Sequence, residues 1–291
     1  MRSFLLFVAL LAASLILAAA VTYPAWVLVS TISVEPVHRV MNRVAMLLAL
    51  GGLVYMTRRL GLSDRVSLGY GLPRREFIGQ LILGWVCGVG LMAPLVVVLI
   101  SLRIRQMSPA FDDSLIALIA GGVFSGFVVA FIEETFFRGV LFTAIARTSG
   151  VAAALLAPSL LYASLHFLGG KLRLPAHEVS WLDGFTALGR LFERYAEPLT
   201  FIDSFIALLL LGVLLSLVRL RTGAIAGCIG LHAAGVAAIA VLRELTLVDR
   251  SAPLAALVGQ YDGVIGWAAL LWFAVIGSAY ATLGRRRQPR P

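Results

Sequence analysis

The chain has 291 residues, 60% of them hydrophobic and 13% charged, with a mean hydropathy of +0.96. A soluble domain carries about a quarter charged residues, so a water-soluble globule is excluded and the chain reads as a polytopic membrane protein in a lipid bilayer. The net charge of +9 comes from 24 basic residues, all arginine except Lys171, mostly at the ends of apolar runs, and no basic patch with interleaved aromatics occurs, which excludes a nucleic-acid partner.

Eight runs are long enough to cross a bilayer, which takes roughly 20 residues. They fall near 4–30, 40–57, 77–102, 114–146, 150–168, 199–218, 222–242 and 262–283. The expected fold class is therefore all-α, a polytopic bundle of about eight transmembrane helices in a single integral-membrane domain, 1–291. The first run has Arg2, an apolar core and Ala18-Ala19-Ala20, the pattern of a signal peptide with a small-residue cleavage site. Its apolar character continues through Ala25-Trp26-Val27-Leu28-Val29, which favours a retained helix.

Arginine placement sets the expected orientation. The 58–75 connection holds Arg58, Arg59, Arg65, Arg74 and Arg75, and the basic tail 284–291 holds Arg285, Arg286, Arg287 and Arg290. An even number of spans separates each from Arg2, so all three can be cytoplasmic together, with both termini inside. The alternation then puts 31–39, 103–113, 169–198 and 243–261 on the outer side. Cys87 and Cys228 lie inside apolar runs without CxxC spacing and read as packing residues, in neither a disulfide nor a zinc site.

The long polar connection 169–198 mixes charges with Trp181, Phe185, Leu188 and Phe192, spaced 4, 3 and 4 apart. That spacing predicts an amphipathic helix lying in the interface, as a connector or as a gate for substrate.

The chemistry concentrates in 114–242. Glu133 and Glu134 stand side by side in an apolar stretch, with Arg138 four residues on. Carboxylates in hydrocarbon cost a few kcal/mol each and are kept where they face a protected interior. On a helix Glu134 and Arg138 share a face and can pair, while Glu133 points about 100° away and is left free, which suits a general base or a metal ligand. His166 on the fifth run and His232 on the seventh lie at depths comparable with Glu133, if runs four and five turn near Thr148. Each histidine alone is more often a structural hydrogen-bonding group, and the Glu134–Arg138 pair could be a structural ion pair. The set of three groups on three helices is the stronger signal. His38 and His177 fall in loops and are assigned no role.

At these residues the chain resembles the type II CAAX prenyl endopeptidases and their bacterial relatives, the CPBP intramembrane proteases or Abi proteins. That family shows Glu-Glu-x-x-x-Arg on one helix, Phe-x-x-x-His on the next and His-x-x-x-Asn/Asp on a later one. Glu133-Glu134 with Arg138 matches the first fully, Tyr162-x-x-x-His166 matches the second with tyrosine for phenylalanine, and His232 begins the third. The family's Asn or Asp would fall at Val236, which can neither ligate nor hydrogen-bond.

The resemblance implies an intramembrane endopeptidase acting on membrane-associated peptides or proteins. Glu133 would activate water, and Glu134 with Arg138 would orient it. His166 and His232 would bind a divalent metal, zinc (Zn2+), with Glu133, or stabilise the oxyanion directly, and Tyr162 would shape the pocket. It also implies a bacterial inner (plasma) membrane. Val236 motivates a second reading, a non-catalytic relative acting as a scaffold or bacteriocin immunity factor. A third, a proton-coupled transporter, would use the buried carboxylates but lacks repeat symmetry. Other membrane-protease signatures fit less well. His-Glu-x-x-His is absent, Gly122-Val123-Phe124-Ser125-Gly126 is one residue too long for a Gly-x-Ser-Gly site, and Tyr261-Asp262-Gly263 gives only half of an aspartyl pair.

Overall fold

A segment in hydrocarbon must satisfy its backbone hydrogen bonds internally, and the apolar runs do so as helices. The computed structural model of the chain describes residues 2–109 and 114–285. Its elements are α1 (Arg2–Ser30), α2 (Val37–Arg59), α3 (Arg74–Ser101), β1 (Arg105–Met107), α4 (Leu115–Glu134), a π-helical turn (Thr135–Leu141), α5 (Phe142–His166), α6 (Asp183–Arg190), α7 (Ile202–Thr222), α8 (Ala226–Leu245), β2 (Thr246–Val248) and α9 (Trp267–Arg285).

Among the described residues, six helical segments are long and apolar enough to cross a membrane, and Trp267–Thr282 is a shorter apolar helix. One of the six, Leu115–His166, is 52 residues long and breaks at Gly150, where φ is 84° and ψ 171°. The break divides it into the two runs expected from the sequence, and the reversal falls at Gly150, not Thr148, because glycine accepts this left-handed φ without a Cβ clash. The bundle is all-α apart from the two short strands. Arg286, Arg287 and Arg290 of the basic tail lie outside the described residues.

The contacts divide the chain into two compact units, 1–63 with 164–198 and 64–163 with 199–291. In the first, α1 and α2 pack against α6 around Ala18, Ala19, Met41, Ala187 and Leu191. The expected amphipathic helix is present as α6, Asp183–Arg190. Gly184, Ala187 and Leu191 face inward, whereas Trp181, Phe185 and Phe192 are exposed. The small residues win the inner face because the backbones meet closely there: a Cβ on Gly184 would stand 2.0 Å from the Ala19 carbonyl oxygen. His38 is not in a loop. It is buried in the first turn of α2, its Nδ1 2.7 Å from the Leu172 carbonyl oxygen. His177 sits exposed in a single 3-10 turn.

In the second unit, α8 is the central helix, packed against both α3 and α4. Helices in lipid associate through close backbone approach, and small residues permit it. A Cβ on Gly230 would lie 2.1 Å from the Leu81 carbonyl oxygen, and one on Gly126 2.5 Å from that of Ala233. The first approach seats α3 on α8, and the second brings α4 and its glutamates against α8, which carries His232.

The two ends of this unit are tied differently. At one end, Ser67 of the 60–73 connection accepts hydrogen bonds from Thr143 and Arg147, and Gly69 accepts from Ile225. At the other, β1 pairs antiparallel with β2, Arg105 opposite Val248. That ribbon joins the connections 103–113 and 243–261, which the alternation of spans places on one side. Cys87 is exposed on α3 and Cys228 buried on α8, both as free thiols.

Candidate active site

Glu133 and Glu134 are the last two residues of α4, and the chain then widens into the π-helical turn that carries Arg138. Such turns are rare and recur at functional sites, because they re-aim side chains without breaking the helix. Glu134 and Arg138 are both fully buried. Arg138 Nη1 donates to Glu134 Oε1 at 2.9 Å, and Nη2 donates to the Gly212 carbonyl of α7 at 3.1 Å. The guanidinium lies 4.8 Å from the Tyr162 ring centroid and 5.6 Å from that of Phe137. Buried charge survives only when paired and hydrogen-bonded, and this pair has both supports plus two aromatic faces.

His232 stands between the two glutamates. Its Nδ1 is 2.8 Å from Glu134 Oε1 and its Nε2 is 3.8 Å from Glu133 Oε2. One imidazole meets both adjacent glutamates, since its two nitrogens point to opposite sides of the ring. The Tyr162 ring meets His232 edge to face at 5.8 Å. The Glu133 side chain retains 28% exposure, while His232 has 4%.

Glu134, paired with Arg138, is an acceptor, so His232 Nδ1 carries the hydrogen between them. In the neutral ring Nε2 is then a lone pair. It faces Glu133 Oε2, a buried oxygen with no hydrogen-bond partner among the described residues. Two acceptors 3.8 Å apart require something positive between or beside them: a second proton, a water hydrogen or a metal cation.

Glu133 Oε2 and His232 Nε2 fit as two ligands of a divalent metal, with the imidazole held from behind by a carboxylate as metal-bound histidines are. Among the described residues, no group of three His, Cys, Asp or Glu side chains converges closely enough to hold a metal. His166 is the last residue of α5, half-buried, and belongs to the first compact unit. Val236, one turn beyond His232 on α8, contributes no donor.

Sequence reasoning missed Tyr70 and Arg219. Thr135 Oγ1 donates its hydrogen to the Phe131 carbonyl at 2.6 Å, so the Tyr70 hydroxyl, 2.6 Å away, donates to Thr135. Tyr70 thereby pins the 60–73 connection beside Glu134. Burial pushes its phenol above the usual range, the Thr135 hydrogen bond opposes this and the Glu134 charge adds to it, which keeps the donor proton in place. Arg219 Nε donates to the Arg138 carbonyl at 3.1 Å, fixing the π-helical turn from α7. No sequence spacing links position 70 to 135 or 219 to 138. Only the buried arginine near the end of an apolar run hinted at the second. An apolar groove of about 560 Å³, lined by Tyr70, Phe77, Phe127, Phe131, Ile132 and Ile229, lies beside this connection.

The family model described as Type II CAAX prenyl endopeptidase Rce1-like matches residues 115–238. No curated protein and no solved structure matches the chain.

Proposed function

We propose that the chain is an intramembrane endopeptidase of the CAAX-protease kind, a reading supported by the match of the Type II CAAX prenyl endopeptidase Rce1-like model over residues 115–238, with Glu133 as its water-activating base. The observation that carries this reading is the unpartnered Glu133 Oε2, partly exposed side chain behind it, facing His232 Nε2. A water at that gap is hydrogen-bonded to Glu133 and lies beside the imidazole. Glu133 takes its proton as the oxygen attacks the scissile carbonyl, and then delivers that proton to the leaving amine. His232, when doubly protonated, donates from Nε2 to the developing oxyanion. Glu134 and Arg138 hold the imidazole orientation, and Tyr162 walls the ring from the side.

A divalent metal such as zinc would rest on Glu133 and His232. It would supply carbonyl polarisation and a more acidic water. The substrate is a membrane-associated peptide or protein whose apolar segment lies along the groove next to Ile132. The arginine distribution supports a reading with both termini cytoplasmic, and the family resemblance supports a bacterial inner membrane.

Val236 favours one other reading, a non-catalytic relative acting as a scaffold or immunity factor. A trapping experiment separates the two. Glu133→Gln protein, purified from membranes, retains intact peptides that wild type releases as fragments if the chain is a protease. Identical bound material from both proteins contradicts the protease reading.

A further inference from the structure

The end of the second unit that carries the β-ribbon holds a cavity of about 290 Å³ between the start of α7, the 249–266 connection and the start of α9. Asp203, Arg250, Gln260 and Trp267 line it, with Leu199 and Ile202 at the rim. Asp203 is 7% exposed. Its Oδ1 accepts the Ser204 backbone N–H at 2.7 Å. The Ser204 hydroxyl, 3.3 Å from the same oxygen, spends its hydrogen on the Ile265 carbonyl at 2.7 Å. Oδ2 is left without a hydrogen bond, and Asp203 makes no ion pair, among the described residues. A buried carboxylate with an open oxygen is costly without a cation or donor beside it.

Arg250 lines the same cavity. Its guanidinium donates to the carbonyls of Val258 at 3.5 Å and Gly259 at 3.2 Å, and it too has no carboxylate partner among the described residues. One cavity thus presents an anion and a cation that form no direct ion pair among the described residues. The complement of that pair is a zwitterion. Both α7 and α9 begin here, so the cavity lies at the membrane–water boundary, where Trp267 (44% exposed) is placed as interfacial tryptophans are. Leu199 and Ile202, both exposed, lead away from it.

We propose that this cavity is a binding site for a phospholipid headgroup bearing a primary ammonium, the ammonium donating to Asp203 Oδ2 and the phosphate accepting from Arg250, with the acyl chains along Leu199 and Ile202. A trimethylammonium headgroup is disfavoured because it has no N–H to donate. The site is separate from Glu133 and His232 and does not depend on the protease reading.

The test is native mass spectrometry of the full chain in mild detergent with dihexanoyl-phosphatidylethanolamine and dihexanoyl-phosphatidylcholine. Wild type should retain the ethanolamine lipid about ten-fold or more over the choline lipid, the size of one charge-assisted hydrogen bond. Asp203→Asn keeps the Oδ1 acceptor, removes the charge and should bring the ratio near one. Arg250→Gln, on the exposed side, should weaken both lipids and leave the ratio. Glycerophosphoethanolamine, the headgroup without chains, should compete. Equal retention of the two lipids by wild type, an undiminished preference in Asp203→Asn, or failure of glycerophosphoethanolamine to compete would overturn the assignment.

Discussion

His232 Nδ1 and Glu134 Oε1 are 2.8 Å apart, on helices whose backbones touch through Gly126 and Ala233. That one hydrogen bond fixes which imidazole nitrogen faces Glu133, and so turns two adjacent glutamates into groups with different tasks. Glu134 is held by Arg138 and His232, whereas Glu133 Oε2 has no hydrogen-bond partner among the described residues.

Glu133→Gln should therefore remove peptide hydrolysis by about 10²–10⁴-fold while leaving the fold intact. Its Oε2 makes no hydrogen bond to lose. Turnover of a membrane peptide beside the thermal midpoint in detergent checks both halves. An equal loss of activity and stability would mean that Glu133 is structural.

Arg138→Met should behave in the opposite way. It strands the Glu134 carboxylate in a fully buried position and should cost about 3–5 kcal/mol. Replacing both partners, Glu134→Gln with Arg138→Met, should recover part of that loss because no uncompensated charge remains. A double-mutant cycle of denaturation midpoints measures the difference.

Gly126→Val would drive a side chain into the Ala233 carbonyl and push α4 off α8. Overpacking of this kind costs about 1–3 kcal/mol. The larger effect should be on activity, at least ten-fold, since the push separates Glu134 from His232. Gly121→Val, with open space around it, should do neither.

Asp262 lies in the connection before α9, its Oδ1 accepting the backbone N–H of Val264 and Ile265 at 2.8 Å. Burial raises its carboxyl above the usual 3.8, although those hydrogen bonds and the Arg243 and Arg105 charges oppose the shift. The folded state thus binds this proton more tightly than the unfolded chain. Its contribution to stability is complete below pH 3.8 and declines as pH rises through the raised value. Asp262→Asn keeps the Oδ1 acceptor and should flatten that decline, as read from thermal midpoints between pH 4 and 7. A wild-type midpoint that falls more, or rises less, with pH than the variant's agrees; an equal or steeper rise would contradict the sign.

The helical bundle was legible because apolar runs in lipid have few alternatives to a helix. The reversal inside 115–166 was legible to within two residues, since Gly150 stands next to the expected turn at Thr148. The Glu134–Arg138 pair followed from helical spacing alone. Other features depend on tertiary approach and were not legible. Tyr70 reaches Thr135 across 65 positions, and α6 buries Gly184 and Ala187 in place of its larger apolar residues because α1 comes so near. His38 looked like a loop residue because α2 begins earlier than hydropathy suggests, at Val37.

The most direct measurement is the isotopic fate of water. Wild-type protein in proteoliposomes, given a membrane-anchored peptide mixture in H₂¹⁸O, should produce new C-termini carrying one ¹⁸O, and Glu133→Gln should produce none. Wild type that cleaves nothing, or a Glu133→Gln protein that cleaves as well as wild type, would contradict the account.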